Sequence, residues 1–181
     1  MLKDTQNHPY KDRKYEIVTY DLNWPNLFET YASKIRQIFG DVQIEHIGST
    51  SVPGMSGKSC IDVLVILPNT VELAKERKAE MERAGFEYAG SFVTEDSVLF
   101  RITENNSLIA NIHFFPSGHP HNAEMLSLRD YLRKHPEEVL AYSACKKDLE
   151  SKYANDYASY RKFKDEYMEK IKERVKTSSH N

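Results

Sequence analysis

The 181-residue chain has only two cysteines, and their placement excludes the usual cysteine roles. Cys60 falls in an apolar run and Cys145 in a helical stretch, matching no metal spacing and no disulfide framework. Neither sign of charge dominates. A net charge of −2 with 29% charged residues gives no bulk attraction for nucleic acid, so any polynucleotide contact has to be local. No apolar run approaches the ~20 residues that span a bilayer, and the first seven residues lack the apolar core of a signal peptide. The expectation is a protein of the reducing cytoplasm with no membrane partner. With no internal repeat and no low-complexity linker, a single domain over 1–181 is expected, large enough to bury a real core.

What is present divides into a strand-rich part, about 14–116, and a helical part, about 122–175. Residues 14–20 read as a short strand. Pro25 opens a helix with Leu27, Phe28, Tyr31, Ile35, Ile38 and Phe39 on one face, ending at Gly40. Strands are expected near 42–47 and 60–67, then a helix over 71–84 capped by Thr70 and stopped by Gly85, and a short strand over 86–89. Residues 97–103 and 108–115 flank Glu104-Asn105-Asn106-Ser107, a hairpin signal. Helices over 123–134, 136–150 and 155–175 complete the reading.

The segment Ile44-Glu45-His46-Ile47-Gly48-Ser49-Thr50-Ser51-Val52-Pro53-Gly54, then Lys58 and Ile61-Asp62-Val63-Leu64-Val65, carries the most chemistry. Asp62 lies in a run that otherwise reads as a buried central strand. An ionised carboxylate there needs a cation, a metal or several hydrogen-bond donors. Gly48, Ser49, Thr50 and Ser51 offer compact backbone and hydroxyls where amides must approach an anion. Together they suggest a metal-bridged phosphate; the plain alternative is a polar turn beside a satisfied buried acid.

Alternation in the hairpin puts Val98, Phe100 and Ile102 on one face with Leu108, Ala110, Ile112 and Phe114. Arg101, Asn111 and His113 then point the other way. If that polar face adjoins Asp62, the site gains a cation, an amide and an imidazole; otherwise it is the solvent side of an antiparallel sheet. Ser56-Gly57-Lys58-Ser59 imitates the end of a phosphate-binding loop, but the first glycine would fall at Val52 and a strand follows, so it is discounted. His119-Pro120-His121 reads as an exposed turn. The tyrosines and charges of 142–175 read as an amphipathic helix face and its solvated reverse.

These residues resemble the GrpB family of bacterial proteins, a branch of the nucleotidyltransferase superfamily with the polymerase-β-like fold. The resemblance covers about 15–170. It rests on Glu45 to Gly54, Lys58, Ile61-Asp62, Leu99-Phe100-Arg101, His113, Leu128-Arg129-Asp130-Tyr131-Leu132-Arg133, Tyr142 with Lys146, and Asp156, Tyr160 and Lys164. It implies an α+β fold: a nucleotidyltransferase-like mixed sheet flanked by helices, with a C-terminal helical portion. It also implies that the strand acid holds a divalent metal, magnesium or manganese, on nucleotide phosphates. The superfamily pairs that acid with another two residues on and takes a third from a later strand, the set that two metal ions need. Here Leu64 stands in the second position, and the later strand has His113 rather than an acid. Asn111 and Met125 stand where relatives often have histidine.

A single metal remains possible, with Asp62 and His113 as ligands and as the catalytic candidates. Glu45 or His46 is a further ligand, although adjacent strand residues face opposite ways and only one can join. Gly48, Ser49, Thr50 and Ser51 are expected to hold phosphates with Lys58, Arg101, Arg129, Lys146 and Lys164, unless these bases only pair with surface acids. Three functions stand open. The first is transfer of a nucleotidyl group from a nucleoside triphosphate to an unknown acceptor. The others are a catalytically reduced nucleotide-binding module and a metal-dependent phosphohydrolase using His113.

Overall fold

A computed structural model describes residues 15–91 and 93–178. In chain order the elements are helix α1 (Trp24–Phe39), strand β1 (Gln43–Ile47), a 3-10 turn (Ser49–Ser51), β2 (Ile61–Leu67), α2 (Thr70–Glu76), α3 (Lys78–Arg83) and β3 (Glu87–Gly90). The hairpin β4 (Val98–Glu104) and β5 (Ser107–Pro116) follows, then α4 (Pro120–Lys134), α5 (Pro136–Lys152) and α6 (Tyr157–Ser178). The fold is α+β. Its mixed five-stranded sheet runs β1-β2-β5-β4-β3, with β2 and β5 parallel and every other pair antiparallel.

One sheet face makes the main core. Val63 and Val65 of β2, Phe100 of β4 and Ile112 and Phe114 of β5 meet Trp24, Phe28, Ala32 and Ile35 of α1, and Ala74, Met81 and Phe86 close it. Burying each large side chain of this set contributes about 1.5–3 kcal/mol. Pro25 in the first turn and Gly40 at φ 78° frame α1 as the sequence indicates. The helical part packs through a second cluster, in which Val52 and Met55 from the loop after the 3-10 turn join Leu132, Val139, Tyr142 and Ile171.

The structure differs from the sequence reading in five places. Over the described part of 14–20 there is no strand, only a bridge between Val18 and Gly57, because no neighbour continues the ladder; residue 14 lies outside the described residues. The helix expected over 71–84 is two, broken at Arg77, and nothing in the adjacent sequence marks the break. Thr70 does not cap it: Thr70 is its first residue, and its hydroxyl donates back to the Leu67 carbonyl at 3.1 Å. A β-bulge between Ile102 and Thr103 turns Leu108 off the core face, and Ile109 packs on the core instead. His119-Pro120-His121 is not an exposed turn. It opens α4, with proline in the first turn and the His119 ring accepting from the His121 N–H at 3.2 Å, while both rings pack on Phe115.

Candidate functional site

The opposite sheet face and the helical part enclose a cleft of about 430 Å3, within the usual range for small-molecule sites. Six cationic side chains and one carboxylate line it, in a chain whose net charge is −2. The carboxylate is Asp62. Parallel pairing of β2 with β5 puts Asp62 beside Asn111 and Leu64 beside His113, so the polar face of the hairpin does adjoin the strand acid. Asn111 Nδ2 donates to Asp62 Oδ1 at 2.9 Å, and His113 Nε2 lies 3.8 Å from the same oxygen. Burial pushes the carboxyl up, but His113, Asn111 and Lys58 outweigh it and hold Asp62 below the usual carboxylate range.

Gly48 explains why the turn needs glycine. Its φ is 72°, and a Cβ there would stand 2.5 Å from Asp62 Oδ2, so backbone and carboxylate are in close approach. Gly48 and Ser49 line the cleft; the next two hydroxyls turn away. Thr50 Oγ1 meets His46 Nε2 at 2.9 Å, and Ser51 Oγ donates to the Gly48 carbonyl at 2.6 Å, bracing the turn from behind. His46 lies on the core face, stacked on Phe28 at 4.7 Å. Burial, helped by Arg133 and Arg129 against the pull of Asp62, lowers it to about 4, so it is neutral at pH 7.

Glu45 points from β1 toward α4, where its carboxylate accepts from Arg129 Nη1 at 2.7 Å. Arg129 also donates to the His46 carbonyl and to Asp130, so this guanidinium lines the cleft from a fixed position. Arg101 reaches the same space from β4, Lys58 from the loop before β2, and Lys146 and Lys164 from α5 and α6. Lys58 Nζ donates to the Tyr157 hydroxyl at 2.6 Å. Burial pushes Tyr157 up, but Lys58, then Lys164 and Arg161, more than reverse it. Lys146 is 2% exposed and donates to Ser49 Oγ at 2.9 Å. Burial, then the charges of Lys164 and Lys58, bring its amine down to about 7.

Tyr142, Tyr157, Tyr160, Arg161, Lys164 and Met168 form much of the helical wall, which corrects their reading as an amphipathic face with a solvated reverse. Arg161 and Tyr157 were missed as site residues. The signal was the spacing of 157, 160, 161, 164 and 168, one stripe of a helix. Of the expected set, the cleft gathers Gly48, Ser49, Lys58, Asp62, Arg101, His113, Arg129, Lys146 and Lys164, and leaves Thr50, Ser51, Glu45 and His46 outside its lining.

The donor set limits what metal the site fits. Among the described residues no three His, Cys, Asp or Glu side chains come together around one ion. Leu64 is fully buried with Ile47 and Phe115 where a second acid would stand. Magnesium takes one or two carboxylates and fills its remaining positions with water and substrate phosphates. Asp62 therefore fits a single ion that arrives with a phosphorylated ligand; the set does not fit a pair of ions held by protein.

The family profile described as GrpB protein matches residues 14–174. The UPF0157 protein YqkA of Bacillus subtilis is 30% identical over 171 residues, 93% of this chain and 49% of that one, so the chain spans about half its length. The glutamate-rich protein GrpB of Alkalihalophilus pseudofirmus is 28% identical over 86% of this chain and 92% of its own. The crystal structure of conserved protein GrpB from Enterococcus faecalis superposes with a TM-score of 0.84 at 28% identity, covering 92% of this chain and all of that one. The Cid1 poly(U) polymerase bound to MgATP shares the fold at a TM-score of 0.54 and 14% identity, over 75% of this chain and 44% of its own. On the extent of the profile match and the likeness of the folds, the chain belongs to the GrpB family.

Proposed function

We propose that the cleft binds a nucleoside triphosphate with one divalent metal and transfers its nucleotidyl group to an acceptor. The observation that carries this reading is the charge of the lining: six cations face one carboxylate in a chain that is net acidic, an arrangement suited to a polyphosphate. Lys58, Arg101, Arg161 and Lys164 hold phosphate oxygens, and the Gly48-Ser49 turn brings its backbone against them. The apolar and aromatic lining, including Met125, Leu128, Tyr142 and Tyr160, takes the nucleoside. Magnesium or manganese, when bound through Asp62, neutralises phosphate charge as the transfer proceeds. Asn111 and His113 keep the Asp62 carboxylate ionised and aimed. The fold shared with a polymerase bound to MgATP supports the choice of ligand class.

Calorimetric titration with the four ribonucleoside triphosphates, with and without magnesium, tests the reading. Binding that depends on magnesium and weakens about tenfold or more, roughly 1.4 kcal/mol, in Asp62→Asn is expected. Failure to bind any of the four overturns it. A nucleotide-binding module without turnover is the second reading, favoured by Leu64 standing where a second carboxylate would complete a two-metal centre and by a later strand that offers His113 rather than an acid. Pyrophosphate release separates the two.

A further inference from the structure

Lys146 and Ser49 form a hydrogen-bonded amine and hydroxyl pair in the wall of the cleft. The amine stands 2.9 Å from the hydroxyl, is nearly fully buried, and among the described residues has no carboxylate partner. Its other close neighbour is the Tyr142 ring, 4.5 Å away. Gly57 packs against the pair: a Cβ on it would stand 2.7 Å from Ser49 Cβ and 3.7 Å from Lys146 Nζ. Ser49 itself is half-buried and lines the cleft next to the residue that touches Asp62. A hydroxyl within hydrogen-bond reach of an unpaired buried amine is the arrangement that activates a serine.

We propose that Ser49 is itself a nucleotidyl acceptor, activated by Lys146, so that the protein forms a covalent nucleotidyl-serine. This names an acceptor for the reading above and rests on it. Ser49 Oγ forms a bond to the α-phosphorus while the bond from that phosphorus to the bridging oxygen breaks. The leaving pyrophosphate keeps the electron pair, and the hydroxyl proton passes to the neutral Lys146 amine. With leucine at position 64, no second carboxylate stands at Asp62 to take that proton. The groups around the amine set when it is neutral. Burial against Tyr142 favours the uncharged form most, then Lys164 from α6 and Lys58 from the loop, while Cys145 on its own helix acts the other way.

The test incubates the full chain with magnesium and each of the four ribonucleoside triphosphates labelled on the α-phosphate, follows intact mass, locates the adduct by peptide fragmentation, and measures binding of the same four nucleotides by calorimetry. One nucleotidyl group per chain on Ser49, with one pyrophosphate released, is expected. Its rate rises about tenfold from pH 6 to pH 8 as Lys146 loses its proton. Lys146→Arg keeps the charge but cannot take a proton, and slows the reaction about a hundredfold or more. Because the larger guanidinium can disturb a buried site, Lys146→Met is run beside it, and both are checked by thermal melting. Binding without an adduct, an adduct on another residue, or a rate indifferent to both Lys146 changes and to pH overturns the proposal. Absence of binding overturns the nucleotide reading beneath it, and the calorimetry distinguishes the two failures.

Discussion

At the residue scale, adjacent positions of β1 face opposite ways: Glu45 is held by Arg129 on one face, while His46 sits neutral against Phe28 and Thr50 on the other. The buried imidazole ties stability to pH. Its folded-state value, about 4, lies below the 6.5 of a free histidine, so between the two the unfolded chain binds more protons and acid favours unfolding. Stability is full above about pH 6.5 and declines toward pH 4; the expected loss between pH 7 and pH 5 is about 2 kcal/mol from this group. Urea titrations at the two pH values check it, and His46→Gln is expected to flatten the dependence. Asp62 was legible because a lone acid in an apolar strand has few inexpensive explanations, and its neighbours Asn111, His113 and Arg101 followed from period-two alternation. The roles of Thr50 and Ser51 were not legible: composition marks a polar turn but does not say which hydroxyls face in.

At the element scale, the hairpin delivers three of the cleft's polar groups from one face of two strands. Its turn holds Asn105 at φ 48° and Asn106 at φ 63°, and asparagine is among the few side chains that tolerate this region. Replacing both by alanine is expected to cost about 1–2 kcal/mol, read as a lower melting temperature. Because Arg101, Asn111 and His113 ride on these strands, nucleotide affinity is expected to fall with it. The bulge at Ile102 and Thr103 is the part that alternation missed, since a register slip leaves no mark in a two-residue period and sends Leu108 into the cleft. Helix α6 shows a different limit. Its stripe of Tyr157, Tyr160, Arg161, Lys164 and Met168 was visible as a face, but what a helix faces is decided by its packing partners and not by its own spacing.

At the scale of the whole molecule, the positive cleft is local, and the acidic remainder of the surface opposes it at a distance. Salt is therefore expected to weaken nucleotide binding, by about three- to tenfold between 50 and 300 mM, with the steepest part at low ionic strength. Calorimetry across that range checks this; an unchanged affinity would mean that the cations do not meet the ligand. Among the described residues no helix is long and apolar enough to cross a membrane. The α+β architecture was readable from the alternation of periods along the chain, whereas the closing of the helical part over the sheet depended on contacts between residues far apart in sequence. Ser56 N–H donates to Ser143 Oγ, Lys58 reaches Tyr157, and Lys146 reaches Ser49, spanning 87, 99 and 97 positions. During synthesis, the turn at Gly48 leaves the ribosome long before the side chains that complete its surroundings. The nascent chain can pair its strands early, but the cleft has no helical wall until α5 and α6 have emerged, so the site is assembled only after more than a hundred further residues have followed Gly48 out.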